Sequence, residues 1–505
     1  MLTTMDAVSL TRHPDSAALR RAATPLTVTV DPGARARLDR GRRFFHGLRH
    51  GDDDGEAPPV YGATTGFGAL VGYAGRPDEA DQCDNTLAHL GAGQGPDLPH
   101  EISRAALLLR TWSLAQGASG VSAEVVDRLA AMFATTFSPA IPRYGSVGAS
   151  GDLIPLAYAT QALRGRGHAY VDGRRMPAGE ALAAAGLRPL ALDGRDALAL
   201  VNGTSVTTAA LALARDTVRT AHRSLMALTC LLADTLGCDP GFLDGDLLRV
   251  YGHTGAIDVG ARMRGTLTGI TPSGARPLQE PYSIRCAPQL LGAAEDALRY
   301  VDGVVAADLG GVSDNPLFFP DDDAGKGKVV HGGNFFGQPA AFAADLLASV
   351  TAQLGNLAER QLDLLTDPAR NGGLPPMLAT APGLQHGLQG VQLASTAFVA
   401  EIRRNATPAG MQSLPTNLHN QDVVPFGTQA ALRSYDMAEL LVLLSGSLAL
   451  GLRQAVHVGA RRPTAPRCAE LLEALIEVIP PVEPDRPLDA DVRTAARLLA
   501  ACELP

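Results

Sequence analysis

Residues 143–158 read RYGSVGASGDLIPLAY, a stretch crowded with Gly, Ala and Ser that runs into an acid and then an apolar segment. Small side chains let backbone fold back on backbone, and Gly151 has no Cβ to restrict its dihedrals. Pro139 and Pro142 stand just upstream, in FSPAIPR, where they are expected to end a helix because proline lacks the amide proton a helix interior uses. The tight centre of the stretch is Ala149-Ser150-Gly151.

The rest of the chain reads as helix. Ala and Leu dominate, aromatic residues make up only 5%, and 505 residues are enough for about two or three domain-sized units. Residues 340–365 place Leu346, Val350, Leu354 and Leu357 at steps of four, four and three, one face of a long helix. Residues 206–236 and 437–456 read similarly. Helices this apolar nearly all round imply a bundle, with subunit packing as well. The expected organisation is mainly α: residues 1–198 form an N-terminal domain holding the small-residue loop, and residues 199–505 form a long bundle with C-terminal helices. The first thirty residues read as a loosely tied leader, and GDDDGEAPP (51–59) as an acidic turn following a short helix. PDDDAGKGKVV (320–330) reads as a solvated loop without phosphate-cradle spacing.

Charge and composition exclude several functions. A formal charge of −9 argues against a nucleic-acid groove, which needs clustered basic residues. The six cysteines are scattered without CxxC spacing, which points to neither a disulfide framework nor a zinc site and suits a reducing interior. His46 and His50 are four apart but lack the glutamate of a HExxH site, so they read as surface histidines and no metal is expected. The N-terminal segment is interrupted by Asp6, Arg12 and Asp15, unlike a secretion signal. The longest uncharged apolar run, Leu440 to Leu452, is shorter than the roughly 20 residues of a membrane span. The expectation is a soluble, cytoplasmic protein.

A lone Ala-Ser-Gly is ordinarily a flexible turn. This tripeptide also permits a specific reaction. If the backbone is bent tightly, the Gly151 amide nitrogen can attack the Ala149 carbonyl, and loss of one water closes a five-membered ring. Loss of a second water from Ser150 leaves an exocyclic methylene. The product is a 4-methylideneimidazol-5-one, an electrophile made from the chain itself.

Further blocks give this reading weight. VYGATTGFG (60–68), LVNGT (200–204), LQEPYSIRCAPQ (278–289), SDNP (313–316), HGGNFF (331–336) and LHNQD (418–422) follow in order around GSVGASGDLIPLAY. Together they resemble the aromatic amino acid ammonia-lyases and aminomutases, and PPVEPDRPLDADV resembles the end of bacterial members. The resemblance implies a histidine/phenylalanine ammonia-lyase-like fold, the autocatalytic electrophile as sole cofactor, and a homotetramer whose active sites are shared between chains. It also implies a covalent strategy in which the substrate amine adds to the electrophile and so becomes a better leaving group. By the same resemblance Tyr61 is the base that removes a β-proton. A free phenol titrates near 10, so positive charge or helix N-termini are expected to lower it. Arg285 matches the clamp on the substrate carboxylate, which suits a guanidinium fork, and Asn315 a helper beside it. Tyr282 matches a second active-site tyrosine. Asn202 matches the amide beside the electrophile, and Gln279, Phe335 and Gly68 match residues of the pocket and its lid.

Two positions bear on the substrate. His89-Leu90 in LAHLGAGQG is the pattern of tyrosine-selective members, since imidazole can hydrogen-bond a phenol; phenylalanine-selective members show Phe-Leu and histidine-selective ones Ser-His. Gln421 stands where histidine ammonia-lyases carry a glutamate, so an imidazole substrate would miss that carboxylate. L-Tyrosine converted to trans-p-coumarate and ammonia is the expected reaction, with leakage onto L-phenylalanine because one histidine that can turn to water discriminates weakly. Phe336 and the stretch VVPF (423–426) depart from the family's pattern near the pocket. An aminomutase giving β-tyrosine shares every residue named and would differ in how long a lid holds the intermediate. A phenylalanine or histidine ammonia-lyase remains the other alternative, and a non-enzymatic member would be expected to lack Tyr61 or the Ala-Ser-Gly triad.

Overall fold

The computed structural model describes residues 7–50, 60–321 and 326–502; the acidic stretch 51–59 lies outside the described residues. Among them α-helix dominates, eighteen in number with the longest running 32 residues, and the strands are short pieces in four small sheets. The mainly α expectation holds, for a plain reason. Helix Ser205–Leu236 contains neither Gly nor Pro, and its Ala and Leu lose little side-chain freedom on becoming helical.

Contacts divide the chain into two compact units. One comprises Met1–Leu213, Gly303–Ala344 and Pro408–Leu432; the other comprises Ala214–Asp302, Asp345–Thr407 and Arg433–Pro505.

In the first unit the N-terminal segment is tied down, which corrects the loose leader. Strand Ala7–Ser9 pairs in parallel with Thr27–Thr29, and Leu10, Leu19 and Leu26 are wholly buried. The buried Arg104 guanidinium, from helix His100–Ala115, donates to the carbonyls of Ala22, Thr24, Phe133 and Phe137. Each buried leucine contributes about 1.5–3 kcal/mol, enough together to hold the segment down. The helix before residue 51 is not short either: Pro32–His50 spans 19 residues.

Pro139 and Pro142 end no helix. Helix Ala123–Phe133 stops earlier, and the prolines lie in strands Ser138–Pro139 and Pro142–Tyr144, in short sheets where missing donors are tolerated. The expected solvated loop at 320–330 ends as structure too, because Gly327–Val330 pairs antiparallel with Leu317–Pro320.

The second unit is built on helices. Leu225, Leu228, Leu231, Leu354, Leu357, Leu362, Leu444 and Leu448 are buried in it. Within helix Gln338–Thr366 the expected face is largely right: Val350, Leu354 and Leu357 are buried, while Leu346 is only half-buried and its neighbour Leu347 is wholly enclosed. Helix Gly427–His457 runs past the Leu440–Leu452 segment and has the length and composition of a membrane span, yet 67% of its most apolar window is buried inside the protein. It is a core helix.

Candidate active site

The small-residue loop is held from both sides. Gly151 has φ +70°, and a Cβ there would lie 2.3 Å from the Gly203 carbonyl oxygen and 2.7 Å from its nitrogen. The two glycines form a parallel bridge, and the Asp152 amide donates to Gly203 O at 2.7 Å. Only glycine fits. Asp152 follows, with its carboxylate wholly buried. It accepts from the Thr207 amide at 2.9 Å, the Thr207 hydroxyl at 2.8 Å, the Thr428 hydroxyl at 2.7 Å and the Ser146 hydroxyl at 3.0 Å. Burial pushes this carboxyl up, and the four donors oppose the shift. Sequence reasoning passed over Asp152. The acid beside the triad was visible, but its hydroxyl partners lie up to 276 residues away.

Around Ser150 two side chains converge. Gln421 Nε2 donates to Ser150 Oγ at 2.7 Å, and Asn202 Nδ2 approaches the Ser150 carbonyl oxygen at 3.5 Å. Asn202 Oδ1 is buried with no partner among the described residues. Asn202 is positioned by its backbone: it ends helix Asp196–Val201, and its carbonyl accepts from Arg110 at 3.0 Å. Arg110 is fully buried and also bonds the carbonyls of Ala199 and Ser313, at 2.9 Å and 2.6 Å. Burial lowers its pKa to about 10, which leaves it charged at neutral pH. Asp314 forms a two-pronged pair with Arg195, both contacts at 2.9 Å and both side chains wholly buried. The next residue, Asn315, accepts from the Gly332 amide at 2.8 Å through its side-chain oxygen. This arginine scaffold had no signature in the sequence.

Tyr61 lies in the same unit, half-buried, and its phenol oxygen accepts the Gly68 amide at 2.8 Å. Burial pushes the phenol above its ordinary value, while the Gly68 N–H and the charge of Arg195 pull the other way. The expected lowering is therefore overturned in the single chain: a positive charge is present, but desolvation outweighs it. Phe67, beside Gly68, packs its ring 5.0 Å from that of His89 at an interplanar angle of 46°. His89 follows helix Glu79–Ala88 and is exposed, with Nδ1 at 3.2 Å from the Asn85 carbonyl oxygen. A carbonyl only accepts, so Nδ1 is the donor in this contact, and in a neutral ring with that tautomer Nε2 is the acceptor. Leu90 is buried, whereas Phe335 is half-buried within the Gly333–Phe336 turn, closed by Phe336 N on Gly333 O at 2.8 Å, and Phe336 is more exposed.

The remaining candidates belong to the second unit. Tyr282 and Arg285 form a single helical turn with the guanidinium 4.7 Å above the phenol ring, a cation–π contact. Tyr282 is 71% exposed, and Arg285 Nε is buried without a partner among the described residues. Arg285 lines a cavity of about 650 Å³ together with Gln279 and Gln289. The wall beside it is stiffened by the Arg276–Glu280 pair, at 2.8 and 2.5 Å. Among the described residues no three His, Cys, Asp or Glu side chains gather as a metal site would require.

Such a mainly helical protein, with a pinned Ala-Ser-Gly turn flanked by an asparagine and a glutamine amide, has the architecture of a carbon–nitrogen lyase. The model of the family described as aromatic amino acid lyase matches residues 15–477. The tyrosine ammonia-lyase of Cereibacter sphaeroides is 40% identical over 465 residues, covering 87% of this chain and 88% of that protein. The histidine ammonia-lyase of Bradyrhizobium diazoefficiens is 36% identical over 455 residues, covering 88% and 86%. Among solved structures, the tyrosine aminomutase of Streptomyces globisporus superposes with a TM-score of 0.89 at 31% identity, covering 98% of this chain and 97% of that one. The chain belongs to the aromatic amino acid lyase family, carbon–nitrogen lyases known to use a methylideneimidazolone.

Proposed function

We propose that this protein is a tyrosine ammonia-lyase that converts L-tyrosine to trans-p-coumarate and ammonia, with lesser activity on L-phenylalanine. The observation that carries the substrate is His89. Its Nδ1 faces the Asn85 carbonyl, which leaves Nε2 to accept a hydrogen bond from a phenol, and its ring rests on Phe67 of the Tyr61 segment. The 40% identity to a tyrosine ammonia-lyase supports the same reading.

The residues present fit an electrophile closed from Ala149-Ser150-Gly151. Gly151 already has the left-handed backbone and the lack of Cβ room that the bend needs, and the Asn202 amide faces the Ser150 carbonyl oxygen. Such a group would supply an electrophilic carbon for the substrate amine. The other roles fall to side chains. Tyr61 takes the β-proton, and because burial holds its phenol up, the pull of Gly68 N–H and Arg195 must be reinforced in the assembled protein. Arg285, which stands over the Tyr282 ring, binds the substrate carboxylate, and Asn315 is the helper the family resemblance assigns. Leu90, Phe335 and Gln421 are assigned to the substrate's ring, and Gln279 to the cavity that Arg285 lines. Assembly as a cytoplasmic homotetramer completes the site, a reading supported by the exposed Leu70, Tyr73, Met411, Leu414 and Leu418.

The 31% identical tyrosine aminomutase keeps a second reading in play: β-tyrosine as product from the same residues. Incubation with L-tyrosine followed by product chromatography separates the two. p-Coumarate with free ammonia supports the lyase; β-tyrosine supports the mutase. His89→Phe is expected to shift preference toward phenylalanine, and equal turnover of both substrates by the unaltered enzyme would remove the His89 argument. Intact mass two waters below the sequence mass tests ring formation, and Ser150→Ala should lose at most one.

A further inference from the structure

A short hairpin far along the chain touches the Tyr61 segment and the small-residue loop at once. Thr416 and Gln421 close it as an antiparallel bridge, with Thr416 N donating to Gln421 O at 3.0 Å. Inside it Asn417, Leu418 and His419 have φ of +54°, +53° and +62°. Asparagine tolerates that left-handed region, but three consecutive residues there, none of them glycine, are unusual. The hairpin presents two side chains. Gln421 reaches Ser150 Oγ at 2.7 Å, and the Asn417 amide lies against Gly68, where a Cβ would meet its Nδ2 at 2.2 Å. Gly68 itself has φ +60° and gives its N–H to Tyr61.

We propose that Asn417 is the stop that holds the Tyr61 segment closed, and that the Thr416–Gln421 hairpin sets the position of the base relative to the electrophile loop. The role rests on Tyr61 being the proton acceptor of the proposed reaction. Gly68 is glycine for two reasons: its dihedral, and the space that Asn417 fills. One turn thus lies beside the Ser150 loop, which Gln421 reaches before the Ser150 hydroxyl is lost, and bears on Tyr61 through Asn417 and Gly68. Asn417 is a positioning residue; nothing places it against the substrate.

Hydrogen exchange on the full-length enzyme tests the contact without any turnover. Asn417→Gly keeps the left-handed dihedral accessible and removes only the amide. Exchange across residues 60–74 should accelerate at least about fivefold, a loosening of local opening, with residues 143–158 unchanged. Asn417→Asp, which keeps the shape, should exchange like the unaltered protein. Gly68→Ala should slow tyrosine turnover by clashing with Asn417, and the double variant Gly68→Ala/Asn417→Gly should recover part of it. A pH profile adds a readout that misfolding would not mimic. The charged group that acts on Tyr61 is Arg195; once the Gly68 N–H is released, the acid limb of kcat/KM for Asn417→Gly should move to higher pH. Unchanged exchange over 60–74 in Asn417→Gly overturns the proposal, as does a double variant no better than Gly68→Ala. If the unaltered enzyme turns over no aromatic amino acid, the proposed function fails instead, and the exchange arm still decides whether Asn417 holds the segment.

Discussion

Gln421 donates its side-chain amide to the hydroxyl of Ser150 at 2.7 Å across 271 residues of chain. That contact fixes the chemical sense of the position. An amide donates to Ser150; a carboxylate there would only accept. Ring formation removes the Ser150 hydroxyl, so the contact belongs to the unreacted loop. Gln421→Glu is expected to slow that dehydration, leaving part of the protein short of the two-water mass loss, and to raise turnover of L-histidine above background. Intact mass and steady-state kinetics on L-histidine check it; a complete mass loss would mean that the contact has no part in ring formation.

Gly151→Ala should block ring closure. The left-handed dihedral of +70° alone costs a side-chain-bearing residue about 1–3 kcal/mol, and the added Cβ would stand 2.3 Å from Gly203 O. The expected outcome is an intact mass equal to the sequence mass, together with a lower unfolding midpoint. A variant that still lost two waters would show that the bend does not depend on this glycine.

The Arg195–Asp314 pair gives a stability test. Both side chains are wholly buried and joined by two 2.9 Å contacts. Asp314→Ala leaves an uncompensated charge and should cost about 3–5 kcal/mol in denaturant unfolding. Replacing both partners, as Arg195→Met with Asp314→Leu, should cost less than the single change, because the Arg195 charge is then no longer stranded and only the weaker 3.9 Å pairing of Asp314 with Arg110 is lost.

Alkaline stability should follow the buried thiols. Burial pushes Cys83 and Cys468 up to about 12, and it raises Cys230 and Cys238 as well. An unfolded thiol titrates near 8.5. Above that value the unfolded chain binds fewer protons than the native one, so stability is complete below it and declines as pH rises toward about 12. The urea midpoint should fall across this interval, and Cys83→Ala should flatten the decline by up to ~1.4 kcal/mol per pH unit.

Much of this protein could be read along the chain. The proposed Ala-Ser-Gly chemistry would need only three adjacent residues, and the helical periods near 206–236 and 340–365 follow from steps of three and four. Tyr282 and Arg285, three apart, do meet face to cation. What misled was sequence distance and local grammar. Pro139 and Pro142 signalled a helix end and stand in strands; the N-terminal segment looked unanchored because its anchor, Arg104, lies 82 residues beyond Ala22.

The proposed covalent chemistry depends on residue order, since ring closure at Gly151 and the loss of the Ser150 hydroxyl would involve atoms only a few bonds apart. Helix content was settled there, by the short-range preferences of Ala and Leu. Folding alone decided where the charges went. Asp152 gathers hydroxyls from Ser146, Thr207 and Thr428, and Arg110 collects the carbonyls of Ala199, Asn202 and Ser313. A buried charge must find whatever donors or acceptors the packing brings within about 3 Å, and no spacing along the chain announces which those will be.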